Sequence, residues 1–434
     1  MRIELAYGKT GLSVDLPAQA RPTVIRKPPL PIPADPGALV AAALDGPVAA
    51  APLTELARGA ASACILICDI TRPVPNGLFL RPMIERLMAA GVPAAGITVL
   101  VATGLHRPNE GDELAEVVGD PWVLATVAVE NHFARDDDAH VMLGRTATRG
   151  VPVGLDRRFM DADVKIATGL VEPHFMAGYS GGRKVIAPGV AHHTTIRTFH
   201  SARFMEDPLA ASCNLAGNPL HEEQLEIVRM VEARDPARPI LGLNTVIDEA
   251  RNLAFVSFGA VIDSHRAAVD FVRGNVEIPV GRRFRTVVTS AAGHPLDKTY
   301  YQTVKGMVVP MDILAPGGTL IVASSCSEGL GSAEFRDAQR RLVELGPDAF
   351  LAAISGKDLA DIDEWQTEMQ LKPMRIGRIQ LYTGGLGADD LAVTGVEAVD
   401  DVAAAVAASI ARHNDPELAV IPEGPYLVPF AREA

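Results

Sequence analysis

Four polar clusters in this sequence each follow a short apolar run, and each carries side chains that move protons or hold anions. The first, Asp69-Ile70-Thr71-Arg72-Pro73, comes directly after ACILIC. An acidic residue at such a point binds ribose hydroxyls, and an arginine grips a phosphate or carboxylate as a two-pronged fork. The bland alternative is an Asx turn beside a surface arginine. The second cluster, Thr103-Gly104-Leu105-His106-Arg107-Pro108, follows ITVLVA. An imidazole titrates near working pH, so His106 is a candidate general acid or base. The third runs Glu172-Pro173-His174-Phe175-Met176-Ala177-Gly178-Tyr179-Ser180-Gly181-Gly182-Arg183-Lys184, with Pro188-Gly189 and His200 beyond. Its glycines let backbone N–H groups approach an anion, and Arg183 and Lys184 add charge. The fourth, Gly293 to Gly306, sets Gln302 and Lys305 three residues apart. On a helix these two share a face with Tyr301 close by, an amide and an ammonium fit to hold a carboxylate.

Two familiar chemistries fit these residues poorly. The third cluster superficially resembles a phosphate-binding Walker loop, but that motif needs Ser or Thr after its lysine, and Val185 follows Lys184. No residue is then placed to hold the magnesium ion of a nucleoside triphosphate. His174, His192, His193 and His200 invite a zinc reading, and spacing alone leaves a two-histidine-plus-carboxylate site open. There is, however, no HExxH and no paired cysteine ligand set. One nitrogen donor to a transition metal is as defensible as three. Adjacent His192 and His193 are expected to diverge, leaving at least one simply solvated.

The elements that must position these clusters read as alternating strands and helices. ACILICD, ITVLVATG, TVAVENH and DVKIATGLVEPH read as strands, separated by helical patterns such as LRPMIERLMAAGV and GDELAEVVG, with LHEEQLEIVRMVEA helical after them. Such alternation argues for a mostly parallel sheet flanked by helices, in which ligands bind beyond the carboxyl ends of the strands. A second block of the same kind begins near Phe284 with FRTVVTSA, YYQTVKGMVVPMDIL and GGTLIVASS. The reading is therefore two α/β domains, 1–275 and 284–405, with the tail 406–434 able to return to the first. A pocket is expected in the cleft between them. The proline-rich stretch 22–36 should run extended over the surface.

Composition narrows the class. Hydrophobic residues make up 48% of 434 and charged residues 21%, ordinary for a soluble enzyme. The net charge of −13 argues against a broad nucleic-acid or anionic-membrane surface, while leaving room for a local cationic pocket. No apolar stretch of membrane-spanning length and no secretory leader is read, and the four cysteines form no ladder of pairs, so a reducing cytoplasm is expected. Cys64 and Cys68 alternate with isoleucines and read as buried strand residues.

Taken in order, DxTRP, TGxHRP, EPHxxxGxSGGRKxxxPG with a following Thr195-Ile196 and His200, and YQxxKG resemble the lactate racemase family over Asp69 to Trp365. The resemblance implies two α/β domains with the active site in the interdomain cleft. It also implies a nickel-pincer nucleotide, a pyridinium mononucleotide whose sulfur and carbon donors hold nickel(II). Carried over residue by residue, Lys184 would form the covalent link to this cofactor and His200 would be the protein's nickel ligand. Asp69, Ile70, Thr71 and Arg72 would contact the nucleotide. His106 and His174 would be the paired acid/base residues, and Arg72, Tyr301, Gln302, Lys305 and Trp365 would bind substrate.

The implied activity is racemisation or epimerisation at C2 of a 2-hydroxy acid, lactate-like by default, by hydride abstraction and return to the opposite face. Its implied partners are a small 2-hydroxy acid and the enzymes that build the cofactor, with no nucleic acid and no membrane. Two other classes stay in view. A zinc-dependent or nucleotide-using hydrolase would use the same histidines and the SGGRK loop. A non-catalytic nucleotide or cofactor carrier would need no pair of acid/base histidines.

Overall fold

The computed structural model describes residues 1–432. It divides into two compact units that interleave along the chain. A central unit comprises residues 29–199 and 214–273, and a terminal unit comprises 1–28, 200–213 and the chain from 274 onward.

The central unit is built on a six-stranded sheet in the order Leu253–Ala260, Leu241–Ile247, Val164–Leu170, Ala63–Cys68, Ile97–Ala102, Ala128–Asn131. Only the pair Leu241–Ile247 and Leu253–Ala260 is antiparallel. Ile65, Leu66 and Ile67 are wholly buried, which is why ACILIC reads as a continuous apolar run: helices cover both faces of a parallel sheet. Helix Asn76–Ala89 buries Phe79, Leu80, Met83, Ile84 and Leu87, a stripe at helical spacing. Each such side chain contributes about 1.5–3 kcal/mol on leaving water. The chain runs from Ala63–Cys68 outward through Ile97–Ala102 and Ala128–Asn131, then returns to pair Val164–Leu170 on the other side of the first strand. The order of strands reverses between Ala63–Cys68 and Val164–Leu170, and at such a reversal the loops part to leave a crevice at the carboxyl ends.

The terminal unit repeats the plan with a sheet whose strands are all parallel, in the order Glu397–Ala398, Arg378–Tyr382, Leu314–Ala323, Phe284–Ser290, Glu417–Ile421, Arg21–Val24. Here the reversal falls between Phe284–Ser290 and Glu417–Ile421. Helix Tyr300–Val308 follows the first of these strands, its start fixed by Thr299, whose hydroxyl accepts the Gln302 N–H.

Residues 1–28 and the described residues from 406 onward cluster with the terminal unit. Arg21–Val24 and Glu417–Ile421 pair with each other in the terminal sheet, burying Leu418, Val420 and Ile421. The proline-rich stretch starts as this edge strand, where Pro22 removes no needed ladder donor. No helix among the described residues is long and apolar enough to cross a membrane.

Candidate active site

Three of the four clusters lie at carboxyl ends of the central sheet, two of them on the strands that flank its reversal. Asp69 caps the strand Ala63–Cys68 and is buried. Its Oδ1 accepts from the Thr71 hydroxyl at 2.5 Å and the Thr71 N–H at 3.3 Å, and its Oδ2 meets His106 Nδ1 at 2.6 Å. Burial pushes the Asp69 carboxyl up, but the His106 hydrogen bond and charge, the Thr71 hydroxyl and Arg72 outweigh it, and the net shift is downward. An ionised Asp69 makes His106 Nδ1 the donor and leaves the imidazole lone pair on Nε2. The His106 side chain is 61% exposed. The Ile70 N–H donates to Asn109 Oδ1 at 3.2 Å, and Arg72 pairs with Glu172, joining the first and third clusters.

The third cluster folds back on itself after Val164–Leu170. His174 Nδ1 accepts from the N–H groups of Met176 and Ala177, both at 3.2 Å. A neutral imidazole holding two donors at Nδ1 carries its proton on Nε2, and that atom lies 3.1 Å from Lys184 Nζ. An ammonium has no lone pair to offer, so the contact becomes a hydrogen bond when Lys184 is a neutral amine. The same geometry makes the two histidines unlike each other: His106 presents a lone pair at Nε2, His174 a proton. Close packing holds the loop. A Cβ on Gly169 would sit 2.9 Å from Gly181 Cα and Gly182 N, so glycine here lets the SGGRK backbone lie directly on the strand.

Arg183, expected to face an anion, is instead wholly buried. Its guanidinium donates to His221 Nδ1 at 2.7 Å, to the carbonyls of Tyr179 at 3.0 Å and Ala177 at 3.1 Å, and meets His265 Nε2 at 2.8 Å. No carboxylate pairs with it among the described residues, and burial pushes it down to about 9. It ties the loop together and leaves a buried positive charge one residue before Lys184. His221 and His265 stand 38 and 82 positions from Arg183, separations that carry no sequence signal, and they were not foreseen as partners.

The remaining site residues form a second group, in the terminal unit. The His200 and Trp365 rings meet at a 40° tilt with centroids 4.6 Å apart. Trp365 Nε1 donates to the Tyr301 hydroxyl at 3.2 Å, and Gln366 Nε2 to the Tyr301 carbonyl at 2.6 Å. Gln302 and Lys305 lie on helix Tyr300–Val308, both half-buried, and Gln302 Oε1 is a buried acceptor without a hydrogen-bond partner among the described residues. An orphaned acceptor of this kind is costly unless a ligand donor meets it.

Comparison with known proteins places this geometry in a family. The profile of the lactate racemase N-terminal domain matches residues 7–212, and that of the lactate racemase C-terminal domain matches residues 282–428. The chain belongs to the lactate racemase family. It is 28% identical to a lactate racemase of Thermoanaerobacterium thermosaccharolyticum over 437 aligned positions, 97% of each chain. It is 33% identical to a lactate racemase of Lactiplantibacillus plantarum over 292 positions, 67% of this chain and 66% of that one. The solved structure of the Thermoanaerobacterium thermosaccharolyticum lactate racemase apoprotein superposes with a TM-score of 0.89 at 26% identity, covering 99% of this chain and 100% of that one.

Proposed function

We propose that this isomerase racemises or epimerises a 2-hydroxy acid at C2, with lactate as the default substrate, using a nickel-pincer nucleotide held by Lys184 and His200. The observation that carries the reading is the pair of histidines at strand ends beside the sheet reversal, one presenting a lone pair at Nε2 and the other a proton. A carrier protein has no use for such a pair.

The residues fit an anionic cofactor attached at Lys184. A neutral amine is the nucleophilic form of lysine, and the proton on His174 Nε2 favours that form. The buried, carboxylate-free Arg183 supplies the positive potential an anionic nucleotide needs. Asp69, the Ile70 backbone, Thr71 and Arg72 would contact the nucleotide, and Arg72 would exchange Glu172 for it or for the substrate carboxylate. A single imidazole, His200, would be the protein's nitrogen donor to the nickel ion. When bound, the group supplies a hydride acceptor, so the Cα hydrogen can leave without forming a carbanion beside a carboxylate.

The chain's own residues then have distinct tasks. His106 Nε2 takes the substrate hydroxyl proton, and Asp69 stabilises the imidazolium that results. His174 donates its Nε2 proton as a hydrogen bond to the developing carbonyl oxygen. For the opposite enantiomer His174 has to receive the proton, which requires Nε2 to become an acceptor and Nδ1 to release the two backbone amides. Lys305 neutralises the carboxylate, the Gln302 side-chain amide donates to that carboxylate from the same helix face, and Tyr301 and Trp365 wall the site. The setting is the reducing cytoplasm, where maturation enzymes supply the cofactor.

The test is the full chain produced together with cofactor-building enzymes. Intact mass should show an adduct that maps to Lys184 and disappears in Lys184→Ala. Nickel should approach one per chain and fall in His200→Ala, and D-lactate should lose its optical purity. Full activity of nickel-free protein would refute the reading.

A further inference from the structure

The proposed function leaves a row of four central-unit histidines without a task. Ring centroids of His132 and His140 lie 5.1 Å apart, those of His140 and His192 5.0 Å, and those of His192 and His193 4.3 Å. His132 is accounted for: Nδ1 meets Asp156 at 2.9 Å and Nε2 the Ala191 carbonyl at 3.1 Å. The other end of the row is not. We infer that His192, His193 and Asp137 form a second metal site, binding a divalent first-row cation of the zinc or nickel class.

Geometry carries this assignment. One ligand atom from each of the three residues lies within 4.8 Å of the others. The two adjacent imidazoles, expected to diverge, converge instead. The backbone passes from an isolated bridge at Ala191 into helix at His193, and that turn brings the rings to one side. The segment is anchored before any ligand arrives: the His192 N–H donates to the Gly154 carbonyl at 2.9 Å and the His193 N–H to the Ala134 carbonyl at 2.8 Å. Gly154 makes the room, since a Cβ there would stand 2.8 Å from His192 Cβ.

The chemistry of the donors agrees. His192 Nε2 and Asp137 Oδ1 lie 2.8 Å apart, the place a cation would take, and the Thr194 hydroxyl, 2.8 Å from His192 Nδ1, orients the ring. His140, next in the row, turns its Nδ1 to the Asp136 carbonyl at 2.6 Å and stands outside this triad. Two imidazoles and a carboxylate with an open position suit borderline cations rather than magnesium or calcium. A bound ion would clip the turn Asp137–Ala139 to the start of helix His193–Phe199.

The experiment is a zinc titration of the full-length, tag-free, chelator-stripped chain, read by calorimetry and by thermal unfolding. Because His200 is itself a proposed metal ligand, His200→Ala is run in parallel. The unaltered chain and His200→Ala should both bind an equivalent of zinc that raises the melting temperature. His193→Ala and Asp137→Asn change exposed or half-exposed side chains; each should keep its circular dichroism spectrum and weaken that equivalent at least about tenfold. Failure of the unaltered chain to bind zinc, or equal binding by both variants, overturns the assignment.

Discussion

The sharpest consequence of the site geometry concerns Asp69→Asn. The replacement keeps the shape of the side chain but not its hydrogen-bond symmetry. Thr71 offers two donors, its hydroxyl at 2.5 Å and its N–H at 3.3 Å, to one oxygen of residue 69. An asparagine must turn its carbonyl toward Thr71, so its amide NH2 takes the position of Oδ2, 2.6 Å from His106 Nδ1. Nδ1 then has to accept, the imidazole proton moves to Nε2, and the base becomes a donor. Loss of the correct tautomer in a catalytic histidine–aspartate pair costs about 10²- to 10⁴-fold, or about 3–5 kcal/mol of transition-state stabilisation. The assay is kcat/KM for both lactate enantiomers, expressed per nickel-loaded chain so that weaker loading is not read as slower chemistry. At zero loss of nickel, both enantiomers should slow together, because an equilibrium constant of one ties the two directions. Loaded Asp69→Asn protein within about threefold of the unaltered rate would refute the tautomer argument, since that is less than the smallest general-base contribution.

Three further perturbations test other parts of the structure. Gly169→Ala should push the SGGRK backbone off its strand, because the new Cβ meets Gly181 and Gly182 at 2.9 Å; intact mass should show the Lys184 adduct lost while circular dichroism is retained. Gln302→Leu removes a buried orphaned acceptor, so the melting temperature should hold or rise while KM for the 2-hydroxy acid rises about tenfold. Glu368 is pushed up to about 8 by burial and then by the charge of Glu206, so the fold retains a proton that the unfolded chain gives up near pH 4.5. Stability should therefore fall as pH rises from about 4.5 to about 8, and Glu368→Gln should flatten that slope in thermal unfolding across pH.

The strand ends were legible because a parallel strand covered on both faces reads as an unbroken apolar run, and the polar residue that stops it marks its carboxyl end. ACILIC followed by Asp69, ITVLVA followed by Thr103, and KIATGLV followed by Glu172 each announce the strand and its carboxyl end. The division into units was not legible in the same way. Arg21–Val24 pairs with Glu417–Ile421 through a ladder closed between the two ends of the chain, and neither segment differs in composition from a strand that stays with its neighbours. Hydrogen-bond roles were hidden as well. Nothing in the string HFMA says that His174 Nδ1 will collect two backbone N–H groups, yet that fact decides which nitrogen holds the proton. The lysine and arginine of SGGRK look equivalent in sequence, whereas packing sends one toward His174 and buries the other.

That burial has an energetic meaning. A guanidinium taken out of water is costly unless an opposite charge compensates, and Arg183 has carbonyls and imidazoles instead. Neither imidazole supplies negative charge: burial and Arg183 itself push His221 down to about 3, and burial drives His265 far below its usual range. Among the described residues no carboxylate neutralises this charge, which stands next in sequence to the lysine expected to carry an anionic nucleotide. Attachment of that nucleotide would supply the missing charge, so loading should raise the melting temperature, and the rise should shrink at high salt, where screening replaces the anion's field. In Arg183→Gln the buried charge is gone, and the stabilisation on loading should shrink with it, whatever the variant's starting stability. An equal rise in melting temperature for the two loaded proteins would show that Arg183 serves the loop's carbonyls alone.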